Sequence, residues 1–302
     1  MISLESNFEL TNRHGGVVYA TVTWPSASRT TKNGESSNAR NNESSNAKVE
    51  FPLVVLMHGF KGFRNWGFFP LAAQHFASAE ILVVRLDFSQ NGMRGTADRV
   101  VSPSDFAANT ISRELEDVED VLQSIRDSVE APFLELRDAW NGMLFFVGHS
   151  RGGGIALLTG VMHNAEKVVG WNSVGTWERW TPRQRNVWLE SGKVAVENTR
   201  TGQKLEMHST YLLDIEAHQQ RQLLSAAAEQ LADRLLLVHA AQDLTVPLTE
   251  VQRELSGAPL QIVHNTTHTF GMMHPLDHVT PAFAEVLAIT TKFLKLDGGS
   301  PI

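Results

Sequence analysis

Not one of the 302 residues is cysteine. That absence removes a disulfide framework, a cysteine-ligated metal and a cysteine nucleophile together. Positive charge is not in excess either: 26 Lys and Arg face 33 Asp and Glu, a formal net charge of −7. A surface with that balance has no basic face to neutralise phosphates, so no nucleic-acid partner is expected. No apolar run approaches the roughly 20 residues of a membrane span. The opening "MISLESNFEL" lacks the basic start and apolar segment of a secretory signal. The expectation is a cytoplasmic protein without a membrane span, and with 42% hydrophobic residues it has enough apolar matter for one large α/β domain or two smaller ones.

What is present comes in an orderly series. "GVVYATVTW", Gly16 to Trp24, alternates and is rich in β-branched residues, as expected for one strand of an opening antiparallel pair. Short apolar runs follow at Pro52–Gly59, Ile81–Phe88, Met143–Ser150, Lys167–Gly175, Arg234–Asp243 and Leu260–Asn265. Such runs are too short for helices and too apolar for surface loops, and they read as strands buried on both faces. Between them the spacing predicts helices: Leu115, Val118, Leu122 and Ile125 share one face, as do Phe283, Val286, Leu287, Phe293 and Leu294. Buried strands alternating with helices specify an α/β protein with a mostly parallel sheet of about eight strands, covered by helices on both faces.

Two intervals break the rhythm. Residues 26–48 are Ser, Asn, Thr and charge, with the near-repeat "ESSNAR", "ESSNAK". They bury too little apolar area to offset the entropy of ordering, so they are expected to form a flexible insertion. The second interval, 176–233, is too long for a crossover. It contains "TWERWTPRQRNVW", a hairpin pattern "GKVAVENTRTGQKLEM" and a helical "EAHQQRQLLSAAAEQLADR". It reads as a cap inserted between a first core part, 1–175, and a second, 234–302.

The chemistry concentrates in "MLFFVGHSRGGGIALL", Met143 to Leu158. Gly148-His149-Ser150-Arg151-Gly152 has the form G-x-S-x-G, with a buried strand before it and a helical pattern after it. In that context the glycines are needed because side chains would collide with backbone. The turn then lifts the serine hydroxyl above the sheet at a helix N-terminus, where N–H groups face outward. The Lys and Thr of a phosphate loop do not follow, so that reading fails its own pattern. Serine attacks only when a base removes its proton, and the base needs a carboxylate to orient it. Partners are expected just after later strands, at the carboxyl edge of the sheet. Asp243 ends "LLLVHAAQD" and His268 lies beyond "LQIVH", giving the order Ser150, Asp243, His268.

Position separates the competing residues. Asp87 follows an earlier strand, Asp214 falls in the cap, His264 is expected to be a packed or hydrogen-bonded core histidine, and His274 and His278 are expected to shape a loop. The pairs His264/His268 and His274/His278 have metal-ligand spacing, yet no Glu follows the first His as a metalloprotease helix requires, so no metal and no cofactor is expected. A tetrahedral intermediate needs two oxyanion donors. The N–H of Arg151, the residue after the serine, and the N–H of Phe60 in "LMHGFKGFRNWGFFP" fill that role.

With these residues in place the chain resembles the α/β-hydrolase superfamily over all but 26–48. It is most similar to bacterial dienelactone-hydrolase-like and acyl-esterase-like members, sharing "HGFKG…WGFFP", "GHSRGG" and "HTF…HP". The resemblance implies a serine triad and hydrolysis of an ester or related acyl bond. Dienelactone hydrolases proper use a cysteine nucleophile, which this chain lacks, so the serine-esterase reading gains. Epoxide hydrolases and dehalogenases of the fold need Asp where Ser150 stands. The resulting expectation is a serine carboxylesterase acting on a small-molecule acyl ester, as a monomer or homodimer, with a thioesterase, amidase or acyltransferase as the alternative and a non-catalytic binding protein behind it. Lys61, Trp66, Trp177, Trp180 and Trp188 are the candidate substrate-binding residues, with packing inside the cap as the competing role for its tryptophans. The side chains of Lys61 and Arg151 are also candidates to meet a substrate carboxylate.

Overall fold

The computed structural model describes residues 4–26, 49–95 and 98–295. The segment expected to be a flexible insertion, apart from its first residue, lies outside the described residues. The chain opens with β1 (Leu4–Thr11) and β2 (Val17–Trp24), an antiparallel pair in register Leu4 to Trp24. Then come β3 (Phe51–Met57), α1 (Phe69–Ser78), β4 (Leu82–Asp87), α2 (Pro103–Ala108), α3 (Ile111–Asp127), α4 (Phe133–Ala139), β5 (Trp140–His149), α5 (Arg151–Met162) and β6 (Lys167–Trp171). The interval after β6 holds α6 (Pro182–Ser191), β7 (Lys193–Asn198), β8 (Gln203–His208), α7 (Thr210–Ala217) and α8 (Leu224–Leu231). The last part is β9 (Leu235–Ala240), α9 (Leu248–Glu254), β10 (Leu260–Val263) and α10 (Pro281–Lys295).

Eight strands form one sheet in the order β1-β2-β4-β3-β5-β6-β9-β10. From β4 through β10 every pairing is parallel, and only the β1–β2 ribbon and its junction with β4 are antiparallel. All residues of β4 and β9 are buried, which is why these strands, Arg85, Asp87 and His239 apart, are apolar along their length rather than alternating. One face is covered by α1 and α10 through Phe68, Phe76, Phe283 and Val286; the other is covered by α3, α5 and α8 through Leu115, Val118, Ile155 and Leu231. The α3 helix begins where Thr110 accepts a bond from the Arg113 N–H, and its spaced Leu115, Val118, Leu122 and Ile125 are buried as the sequence pattern predicts. No helix of the described residues is long and apolar enough to cross a membrane.

The interval between β6 and β9 differs in detail from its sequence reading. The hairpin is there as β7 paired with β8, but the expected helix over 216–234 is broken. It ends at Ala217, reforms at Leu224, and finishes in a short 3₁₀ turn over Ala232–Arg234. The break exposes Leu223 and places Gln222, whose carbonyl accepts the Trp177 indole N–H, inside the structure. A tertiary bond here outweighs a favourable helix sequence.

Candidate active site

Ser150 stands between the end of β5 and the start of α5 with φ 57° and ψ −120°. Non-glycine residues rarely adopt such a conformation, and strain of this kind persists only where the surroundings fix it. They do. A Cβ at Gly152 would lie 2.5 Å from both the Met57 and His58 carbonyl oxygens, and one at Gly148 would collide with the Gly152 carbonyl. Both G-x-S-x-G glycines are therefore dictated by close approach of backbone. Ser150 itself is 9% exposed, and its hydroxyl makes no bond to the helix behind it.

Asp243 follows β9 and is 3% exposed. One carboxylate oxygen, Oδ1, accepts the Thr245 and Val246 N–H groups at 2.8 and 2.9 Å. The other accepts His268 Nδ1–H at 2.7 Å. Burial alone pushes the Asp243 carboxyl up, but the hydrogen bond and charge of His268, with the two N–H groups, outweigh it and hold the pKa below the usual carboxylate value. An ionised Asp243 fixes the proton of His268 on Nδ1 and leaves Nε2 as the free acceptor. The His268 loop reaches the serine turn through His149, whose Nε2 bonds to the His268 carbonyl at 2.8 Å. No hydrogen bond joins Ser150 Oγ to His268 among the described residues.

The loop after β3 closes the other side. Ser150 Cβ lies 2.9 Å from where a Gly59 Cβ would sit, so only glycine lets this loop approach the serine. The Gly59 carbonyl accepts His58 Nδ1–H at 2.9 Å and Gly62 N–H at 3.0 Å. Because N–H and C=O point opposite ways across a trans peptide, holding that carbonyl turns the Phe60 N–H away from those donors. Neither the Phe60 nor the Arg151 N–H has an acceptor among the described residues. Burial keeps the His58 pKa below its usual value, so the ring serves as a neutral hydrogen-bonding spacer, with Nε2 3.4 Å from the Phe88 N–H.

Comparisons with solved structures find the same fold. Est1E from Butyrivibrio proteoclasticus is 14% identical with TM-score 0.60, covering 95% of this chain and 97% of its own. Alpha/beta hydrolase GrgF from Penicillium sp. sh18 is 13% identical with TM-score 0.64, covering 97% and 98%. Alpha/beta hydrolase domain-containing protein 10 from mouse is 13% identical with TM-score 0.59, covering 96% and 98%. The chain has the α/β-hydrolase fold. No protein-family model matches it, and no curated protein matches it in sequence.

The α/β-hydrolase fold gathers Ser150, Asp243, His268, Phe60 and Arg151 at the carboxyl ends of β3, β5, β9 and β10, and sends the competing residues elsewhere. Asp87 is buried against Arg64, which reaches it with both its backbone N–H and its guanidinium. Asp214 accepts the Ser112 N–H at 2.9 Å. His264 is exposed rather than in the core, because β10 ends at Val263 and the chain turns outward. His274 shapes its loop as expected, accepting the Gly67 N–H at 3.0 Å and meeting Phe63 edge to face. His278 is exposed beside Asp277.

The side chains proposed to meet substrate fare differently. Arg151 does not present its guanidinium to the site: it is 6% exposed and faces Glu114, with Nε 3.1 Å from Oε2, between the rings of Phe60 at 5.7 Å and Tyr211 at 4.9 Å. Trp188, 1% exposed, donates its indole N–H to the Met207 carbonyl at 3.0 Å and stacks on Tyr211. Trp177 is buried and bonded to Gln222, and Trp180 packs edge to face on Trp188. Trp180 and Trp188 pack inside the interval between β6 and β9, and Trp177 packs from it against Gly154 of α5. Trp66 remains half-buried against Phe68 and near His274. Lys61 donates to the Glu197 carbonyl at 2.9 Å, fastening the loop after β3 to the β7–β8 hairpin rather than reaching free toward a ligand.

Proposed function

We propose that the protein is a serine hydrolase that cleaves carboxylic esters of small or medium acyl groups through an acyl-enzyme. The observation that carries the reading is the 2.7 Å bond from His268 to a buried Asp243, tied by His149 to a serine held at φ 57°. Ser150 Oγ attacks the acyl carbonyl while His268 Nε2 takes its proton, once substrate binding has brought the two within hydrogen-bond reach. The Phe60 and Arg151 N–H groups receive the negative oxygen. His268 then gives its proton to the leaving alcohol, and water repeats the sequence to release the acid. Asp243 stays ionised throughout and stabilises the imidazolium.

The interval between β6 and β9 acts as the cap in this reading. Its hairpin is pinned to the core where Gln203 exchanges two bonds with the Val100 backbone, at 3.1 and 2.8 Å, and where Lys61 meets Glu197. A hairpin so placed confines substrate to the space between it and the Ser150 turn.

The test is intact-mass labelling by a fluorophosphonate of wild type, Ser150→Ala and His268→Ala, then turnover of p-nitrophenyl esters of increasing acyl length beside matched thioesters and anilides. Labelling of wild type alone, with esters turned over fastest, is the expected result. Faster thioester or amide turnover moves the assignment to those substrates on the same residues. A folded wild type that does not label overturns the proposal.

A further inference from the structure

One carbonyl at the site is held with unusual thoroughness, and none of the chemistry above uses it. The His268 C=O accepts two side-chain donors, His149 Nε2–H at 2.8 Å and Asn172 Nδ2–H at 2.7 Å. The two donors come from the ends of adjacent strands, β5 and β6, at sequence separations of 119 and 96 residues. Asn172 is fixed on both sides: it sits at φ 44°, its N–H donates to the Val238 carbonyl at 2.9 Å, and its Oδ1 accepts the Ala240 N–H at 2.7 Å. It therefore binds the strand that delivers Asp243 to the loop that delivers His268. His149 is buried beneath Phe68 at a ring distance of 5.3 Å and lies 4.7 Å from the His268 ring.

From this geometry we propose that His149 and Asn172 are positioning residues that clamp the His268 main chain, so that its ring keeps its bond to Asp243 and leaves Nε2 available to Ser150. The proposal rests on the serine-hydrolase reading for its effect on rate. A two-donor clamp uses both lone pairs of the carbonyl and removes the peptide rotation that would otherwise let a loop histidine swing. The loop needs it. Asn265 and Phe270 both have left-handed φ, 55° and 54°, and His268 follows a strand of only four residues at the edge of the sheet. Neutral donors suit this place because an imidazolium forms on His268 during the reaction, and a second positive charge beside it would oppose that step. Desolvation, then the neighbouring His268, keeps the His149 pKa down at about 3, so it remains a neutral donor across the working range.

The test compares three substitutions. His149→Phe keeps a flat ring against Phe68 and loses the donor. His149→Gln keeps an N–H donor. Asn172→Asp keeps the acceptor for Ala240 and replaces the donor toward His268. Small misplacements of a reacting group cost up to about 100-fold in rate, so kcat on a p-nitrophenyl ester is expected to fall about 10- to 100-fold in His149→Phe and Asn172→Asp, with KM within about threefold. His149→Gln recovers most of the loss. The second readout does not depend on turnover: the ¹H NMR signal of His268 Nδ1–H is expected to be sharp and far downfield in wild type, to broaden or vanish in His149→Phe and to return in His149→Gln. A His149→Phe protein with kcat within twofold of wild type, or with an unchanged Nδ1–H signal, overturns the clamp. So does a Gln variant no better than Phe. If wild type fails to label with fluorophosphonate, the hydrolase reading fails while the NMR comparison still decides the clamp.

Discussion

Replacing Arg151 with methionine removes the guanidinium that faces Glu114, and the structure sets the size of the effect. Both side chains are nearly out of water, at 7% and 5% exposure, and Arg151 approaches the carboxylate at 3.1 Å through both Nε and Nη2. Without it Glu114 keeps one neutral partner, the Asn109 side-chain amide at 2.7 Å. Breaking a buried pair from one side costs about 3–5 kcal/mol, because the remaining charge stays desolvated and unpaired. Replacing both members with apolar groups of similar volume is often neutral or better, although the orphaned Asn109 amide returns about 1–3 kcal/mol of cost. Arg151→Met alone should therefore lower unfolding free energy by about 3–5 kcal/mol, whereas Arg151→Met with Glu114→Leu should lie within about 2 kcal/mol of wild type. Urea titrations of the four proteins of the cycle, with unchanged m-values, measure both numbers. A single-variant cost below about 1 kcal/mol, or a double variant as unstable as the sum of the singles, would refute the reasoning.

Three further outcomes follow from the packing around Gly152, Asp117 and Trp188. Gly152→Ala drives a Cβ into two backbone carbonyls and should prevent stable folding, whereas Gly142→Ala, at φ 94° with nothing within 4 Å, should cost only about 1–2 kcal/mol of backbone strain; thermal melts compare them. Burial raises the Asp117 pKa to about 7, against its hydrogen bonds from Asn12 and Ser89. The folded state therefore holds a proton that the unfolded chain releases near pH ~3.9, so this group's contribution to stability is greatest below that pH and is lost as pH rises through about 7. Carboxyl ¹³C NMR checks the midpoint, and a midpoint near 4 would contradict the assignment. Trp188→Phe should cost about 0.5–1.5 kcal/mol for the lost indole bond, because the Met207 carbonyl keeps its ladder partner in the β7–β8 hairpin, and should leave the order of preference among acyl lengths unchanged; a reordered chain-length profile would return Trp188 to the substrate wall.

The fold was largely legible because its strands are buried on both faces. A run such as "ILVVRLDF" has no other stable place, and β4 appears within a residue of either end of that run. The Ser150 turn was legible for a similar reason, since two glycines and a strand-to-helix junction constrain one another locally. The destinations of long side chains were not legible. Arg151 reads as a charged residue beside a nucleophile until Glu114, 37 residues earlier, is brought against it. Trp177 and Trp188 find their acceptors 45 and 19 residues away, on carbonyls whose positions no local pattern reveals. His149 carries a signal of its own: it occupies a variable position of G-x-S-x-G, yet a histidine at the end of a fully buried stretch must bond to something. Asn172, placed after a buried strand, carries the same hint.

The strand order also has a kinetic consequence. The central pairs around β3, β4 and β5 form from the first half of the described chain, while Asp243 and His268 arrive on β9 and β10, added last to one edge of the sheet. Contacts across about a hundred residues close slowly, because loop entropy must be overcome before they contribute stability. During refolding the serine turn should therefore be protected from hydrogen exchange before the histidine loop is. For that interval the molecule would hold a formed but unactivated serine, and its reactivity would emerge only as the last edge strand docks.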